Sequence, residues 1–326
     1  TVTQLAIGAG IDALRDAGIP LVRHYKTTSK GTKLPDRWGL PDEMRDDTGI
    51  VFASAFPGYD ALASDMTRYH RSVARREQIE MIAAIEQRLG PSAPEDVRAE
   101  LRYRREGLAA AEAREPFNFD RRFLFRILAM GHSQFAEHIG ARGHNTQVKS
   151  ACASTTQAVS LAQDWIRAGR CRRVIIVAGD NVTSDSLLDC MGAGFLITGA
   201  AATDDVVERA ALPFDRRRHG MLLGMGAAAL VIESAEAAAE RGITPICRVI
   251  GTMTANSAFH GTRLDVSHIT GVMEALVKQA EARGIPRKEL ASDVRDVNTR
   301  FGAYQNELKQ RAPSSERAWS VDLVAL

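Results

Sequence analysis

The chain predicts an α/β fold, a sheet layered between helices, from three observations. Short runs rich in Val and Ile read as buried strands, amphipathic helical periods alternate with them, and glycine or proline marks most of the boundaries. A length of 326 residues with a hydrophobic fraction of 45% fits one large or two small globular units with ample core.

The elements follow in order. Leu5 to Ala17 has the period of an amphipathic helix and is ended by Gly18 and Pro20; Gly49 to Ala55 is an apolar strand followed by Phe56-Pro57-Gly58. Tyr59 to about Arg114 changes character. It is rich in Arg, Glu and Ala and breaks only at Gly90-Pro91 and Pro94, so it predicts two charged helices forming a surface excursion. Phe119 to Ile139 predicts an apolar, aromatic helix packed inward. Thr146 to Val148 reads as a short extended segment, and Ala158, Leu161, Ala162, Trp165 and Ile166 then recur at helical spacing until Gly169. Arg173 to Ala178 is a Val/Ile strand, Ala227 to Ile232 a strand of small residues, and Ile269 to Arg283 a helix. Gly224 and Gly226 are structural glycines, expected to permit close backbone approach and unusual φ. A phosphate loop there is disfavoured, because no Lys-Ser/Thr follows and a strand comes next.

Charge narrows the function classes. The net charge is only +2, the arginines are interleaved with acids, and the basic runs at Arg121-Arg122 and Arg216 to Arg218 are short, so nucleic acid is not indicated. With no signal peptide and no apolar stretch long enough to cross a bilayer, the expectation is a cytoplasmic protein with reduced thiols and no membrane contact. No Cys-x-x-Cys or Cys/His spacing suggests a metal site.

Of the four cysteines, Cys152 stands apart. It lies in Lys149-Ser-Ala-Cys-Ala-Ser-Thr155, where an extended segment gives way to a helix. Free backbone N–H groups and the positive end of the helix dipole favour a thiolate at such a position, and the thiolate is the nucleophilic form. A small buried hydrophobe is the competing reading of any free cysteine. Cys171, Cys190 and Cys247 fit that reading better, lying at a helix-to-strand turn, on a Leu-rich segment and in a strand-like run.

The Cys152 turn resembles the nucleophile turn of the β-ketoacyl synthases, the condensing enzymes of fatty-acid and polyketide assembly. Pro213-Phe-Asp215, followed by Gly220 to Glu233, resembles the same family's glycine-containing strand, at matching distance. The resemblance runs over most of residues 1–290 outside the helical excursion. It implies a thiolase fold: a layered α-β-α-β-α sandwich of two similar halves, the first at 1–237 with an insertion at about 59–114, the second beginning at 238–292, and 293–326 left as an unassigned tail or discontinuous segment. Thr244 to Thr254 resembles the strand that opens the second half.

The resemblance also implies chemistry. Cys152 would accept an acyl group and condense it, by decarboxylative Claisen chemistry, with a malonyl-type thioester carried on the phosphopantetheine of an acyl carrier protein, with no resident cofactor. Met191, Phe195, Phe259, His260 and Thr262 match substrate-pocket positions. His260-Gly-Thr262 precedes the Ile269 helix, whereas the family's His-Gly-Thr follows it, so His260 is assigned to the pocket rather than to catalysis. The family's two catalytic histidines and its Gly-rich opening strand are not recognisable here. An incomplete synthase is therefore expected, homodimeric and part of a multidomain assembly, with a non-elongating, carrier-binding relative as the alternative.

Overall fold

The computed structural model describes residues 1–119, 121–210, 212, 217–256 and 265–290. In chain order the elements are α1 (Val2–Asp16), β1 (Val22–Thr27), β2 (Lys33–Gly39), α2 (Asp42–Arg45), β3 (Thr48–Ala53), α3 (Tyr59–Leu89), α4 (Glu95–Arg114), α5 (Arg122–Ile127), α6 (Gly131–Ile139), β4 (Asn145–Val148), α7 (Ser154–Arg167), β5 (Arg173–Asn181), α8 (Leu188–Ile197), α9 (Val207–Ala210), β6 (Met225–Glu233), α10 (Ala235–Glu240) and α11 (Val266–Ala282). The main sheet has the order β4-β3-β5-β6; β3 runs parallel to β4 and β5, and β6 is antiparallel to β5.

Every residue of β3 is buried. A strand covered on both faces needs apolar residues at successive positions rather than alternation, and Ile50-Val51-Phe52-Ala53 supplies them. Side chains still alternate across the sheet. Ile50 and Phe52, with Ile175 and Val177 of β5, pack against Ala6 and Leu14 of α1 and Phe135 and Ile139 of α6. Val51 and Ala53, with Val174 and Ile176, pack against Ala158, Ala162 and Trp165 of α7. The result is a helix–sheet–helix sandwich. Close approach demands glycine at Gly49, where a Cβ would come within 2.8 Å of the Cys171 sulfur.

The predicted helices α1, α7 and α11 and strands β3, β5 and β6 are all present, as are the two helices of the excursion. A capping box at Thr1 and Gln4 starts α1. The excursion is an antiparallel pair joined by Arg75 to Glu112 and Glu115 (3.7 and 3.2 Å) and by Arg105 to Glu86 at 3.0 Å. Two readings are corrected, and one element is new. The segment from Phe119 to Ile139 is not one inward helix: it breaks at Ala129, whose φ is +49°, and only α6 beyond the break is buried, while Leu124, Phe125 and Leu128 are exposed. Residues 244–254 form no strand, because no described segment lies alongside to complete a ladder. They run past α7 instead, where Gln163 donates to the Val249 carbonyl at 3.2 Å and accepts from Thr252 Oγ1 at 2.9 Å. The exposed β1–β2 hairpin was not anticipated from the sequence.

An ionic network pins the amino end of β5. Arg173, only 3% exposed, donates to Asp47 at 2.6 Å and to Glu233 at 3.0 Å. Glu233 also accepts from Arg241 at 2.6 Å, and Arg241 reaches the carbonyls of Ala17 and Gly18 at the end of α1. Removing Arg173 leaves the half-buried Asp47 carboxylate without its 2.6 Å partner and the buried Glu233 with Arg241 alone, which costs more than the intact network contributes. Arg173→Met is expected to destabilise the fold by about 3 kcal/mol, read as a lower urea midpoint at unchanged slope.

Candidate active site

Because β3, β4 and β5 are parallel, their carboxyl ends share one edge of the sheet, the edge where open α/β sheets bind ligands. The loop after β3 is held there by Asp180, near the end of β5. Its Oδ1 accepts from Ser54 Oγ (2.7 Å) and the Phe56 N–H (2.8 Å), and its Oδ2 from the Ala55 N–H (3.2 Å). The loop ends at Gly58, whose φ of +72° favours glycine, and delivers Tyr59 as the first residue of α3. The Lys149 ammonium sits 4.5 Å from the centre of the Tyr59 ring and donates to its hydroxyl. Lys149 is the first residue after β4.

Between Lys149 and α7 the backbone makes a strained turn. Ala151 has φ +49°, a conformation costing an L-residue roughly 1–2 kcal/mol. It persists because neighbouring groups over-determine it. Ser154, only 3% exposed, accepts from the Ser150 N–H at 2.9 Å and donates to the Ala151 carbonyl at 2.6 Å. Ser150 Oγ is bonded to Gln157 Oε1. The N–H groups of Ala153 and Ser154 close onto the carbonyls of Ser150 and Ala151 (3.1 and 3.2 Å). The Cys152 N–H donates to none of the described residues.

Cys152 is thus exposed on the crest of this turn, two residues ahead of α7. Cys190 and Cys247 are also exposed, against the expectation that they are buried, since α8 and the run after residue 244 lie outside the packed core. Cys171 is buried, and desolvation pushes its thiol up from the ordinary value, which leaves it protonated and inert.

The other predicted positions divide. Met191 and Phe195 are half-buried on α8, a helix with no fully buried residue. Phe259, His260 and Thr262 lie outside the described residues, as do Pro213 to Asp215 and everything after residue 290. Gly224 and Gly226 do not behave as expected: neither has positive φ, and a Cβ on either would meet nothing within 4 Å. Both face away from the described chain, and the close contact falls on Gly179, where a Cβ would lie 3.2 Å from that of Ala227. Upstream, His144 precedes β4, at the end away from Lys149, and packs on Trp165. His138 is exposed in the last turn of α6. His132 is half-buried, and burial lowers its pKa. Sequence reasoning missed Tyr59, Lys149, Ser154 and Asp180. The available signal was position: Lys149, Asp180 and the loop before Tyr59 each lie at the carboxyl end of a predicted strand.

The family model described as "Beta-ketoacyl synthase, N-terminal domain" matches residues 106–238, a stretch containing β4, the Cys152 turn, α7, β5 and β6. The match takes in 133 of the 326 residues of the chain. The chain is 35% identical over 182 residues to the ketoacyl synthase alpha subunit of the tetracenomycin polyketide synthase of Streptomyces glaucescens, covering 55% of this chain and 40% of that one. It is 33% identical over 133 residues to the 3-oxoacyl-[acyl-carrier-protein] synthase 2 of Staphylococcus aureus, covering 41% and 31%. The chain therefore spans well under half the length of these two relatives. Among solved structures it superposes, with a TM-score of 0.56 at 18% identity over 86% of this chain and 55% of the other, on a type II polyketide ketosynthase in complex with its acyl-carrier protein and bound to a hexaketide. A β-ketoacyl synthase from Burkholderia phymatum STM815 gives 0.54 at 19% identity, covering 86% and 53%. The α/β fold is that of the ketosynthases, the thiolase fold. Among the described residues no helix is long and apolar enough to cross a membrane.

In this chain iodoacetamide is expected to label Cys152, Cys190 and Cys247 in the folded state and Cys171 only after unfolding, as read by peptide mass spectrometry. Ser154→Ala removes both bonds that hold Ala151. It is expected to lower stability by about 1–2 kcal/mol and to slow acylation of Cys152 by more than this loss of folded protein accounts for.

Proposed function

We propose that Cys152 is the nucleophile of a β-ketoacyl synthase that extends acyl chains in polyketide or fatty-acid biosynthesis, an acyltransferase working on thioesters of an acyl carrier protein. The observation that carries this reading is the exposed thiol on a strained turn at the start of α7, within the residues matched to the family. The turn holds the exposed thiol two residues ahead of α7. In the first half-reaction the Cys152 thiolate attacks the acyl thioester carbon, the carbon–sulfur bond to the carrier breaks, and the departing pantetheine thiolate takes up a proton. In the second, a malonyl-type thioester loses CO2; the electron pair of the broken C–C bond forms the new bond to the acyl carbonyl carbon, and Cys152 leaves as thiolate. The oxyanion formed in each addition needs donors, and the Cys152 N–H, which donates to none of the described residues, is one suited by position. His260 and Thr262, with Met191, Phe195 and Phe259, are assigned to the acyl pocket. Carrier protein, homodimer and cytoplasmic setting belong to the same reading.

The test is direct. With an acyl donor and a malonyl-carrier protein, intact-mass analysis is expected to detect acyl-Cys152, followed by CO2 release and a β-keto product; Cys152→Ala should abolish both. Acylation that ends only in free acid would point to a hydrolase instead, and an unmodified Cys152 would sink the proposal.

A further inference from the structure

We infer that Lys149 is a specificity-determining residue that captures a carboxylate on the thioester entering beside Cys152, an inference resting on the reading of Cys152 as the acyl acceptor. Three observations carry it. First, Lys149 is tethered rather than free: its ammonium lies over the Tyr59 ring, 4.5 Å from the centre, and donates to the hydroxyl. That fixes the charge but leaves N–H donors available, since an ammonium has three. Second, the tether is itself rigid. Tyr59 follows the Ser54-to-Gly58 loop, which the Asp180 carboxylate holds through three hydrogen bonds, and the Tyr59 ring has an edge-on neighbour in Phe56 at 6.3 Å. A cation positioned this way has already lost much of the rotamer freedom that makes ordinary surface lysines poor binders. Third, the reach is short. Lys149 and Cys152 are three positions apart in the chain, so their Cα atoms lie within about 10 Å even if the backbone were fully extended.

That reach selects among anions. A carboxylate on the acyl or extender unit is a few bonds from the carbon that meets Cys152. The phosphate of a pantetheine arm is at its far end, outside a span set by three residues. Lys149 therefore matches a carboxylate-bearing unit, and its effect belongs to capture of that substrate rather than to transfer of a neutral acyl group.

The experiment compares two alkylating reagents of nearly equal size, anionic iodoacetate and neutral iodoacetamide, on the intact chain, with rates at each cysteine followed by peptide mass spectrometry. For Cys152 the iodoacetate-to-iodoacetamide rate ratio is expected to fall roughly three- to fivefold in Lys149→Met, to return in Lys149→Arg, and to lose its dependence on residue 149 at about 1 M salt, where the Debye length shrinks to about 3 Å. Cys190 serves as internal control and should keep its ratio, which separates loss of a local charge from misfolding. In the condensation assay the same variant is expected to raise KM for a malonyl-type thioester by a larger factor than KM for a neutral acyl donor, and Lys149→Arg to restore the difference. A Cys152 ratio that ignores residue 149 would overturn the inference while leaving the nucleophile reading intact. A Cys152 that neither reagent modifies would overturn both.

Discussion

The structure depends on the need to cover β3 on both faces. Thr48 to Ala53 are all buried, and each of the larger apolar side chains contributes roughly 1.5–3 kcal/mol only if its own face is covered. That requirement places α1 and α6 on one side through Ile50 and Phe52, and α7 on the other through Val51 and Ala53. It also places β4 and β5 as parallel neighbours. The carboxyl ends of three strands then meet along one edge, which is where Cys152, Lys149, Tyr59 and Asp180 converge.

Energy is spent unevenly across this arrangement. At the amino end of β5, Arg173 ties Asp47 and Glu233 into a buried network that Arg241 extends to the end of α1, so that end is rigid. At the opposite end a left-handed alanine is retained beside the thiol. Nothing in the packing of the sheet needs Ala151 at φ +49°; the hydroxyl of Ser154 and the short bonds around it keep it there. Strain stored next to the one exposed thiol that precedes a long amphipathic helix is what a positioned nucleophile requires, since it turns the sulfur out of the core and frees the backbone N–H beside it.

The excursion α3–α4 connects to the same edge. Its helices are charged and lie mostly at the surface, and pairs such as Arg75 with Glu112 and Arg105 with Glu86 link them. Its first residue, however, is Tyr59, and through Lys149 the insertion touches the segment that leads into the Cys152 turn. An element that reads as solvated surface over most of its length is thus anchored at the site by one aromatic side chain.

The sequence by itself determined α1, α7 and α11, the strands β3, β5 and β6 and the buried character of β3 and β5, the place of Cys152 at a helix start and the resemblance of the surrounding turn to the β-ketoacyl synthases. These are local properties: runs of Val and Ile, helical spacing from Ala158 to Ile166, and a short motif. It misjudged the segment from Phe119 to Ile139 and residues 244–254, because apolar content alone cannot say whether a partner surface or a neighbouring strand exists. It also misplaced the need for glycine, which fell on Gly49 and Gly179 rather than on Gly224 and Gly226, since close approach is a property of two segments and not of one. Only the tertiary structure brought together Asp180, Tyr59 and Lys149, residues drawn from three different strand ends. Their interaction follows from parallel pairing across 90 and more residues of chain, and no spacing within a single segment encodes that.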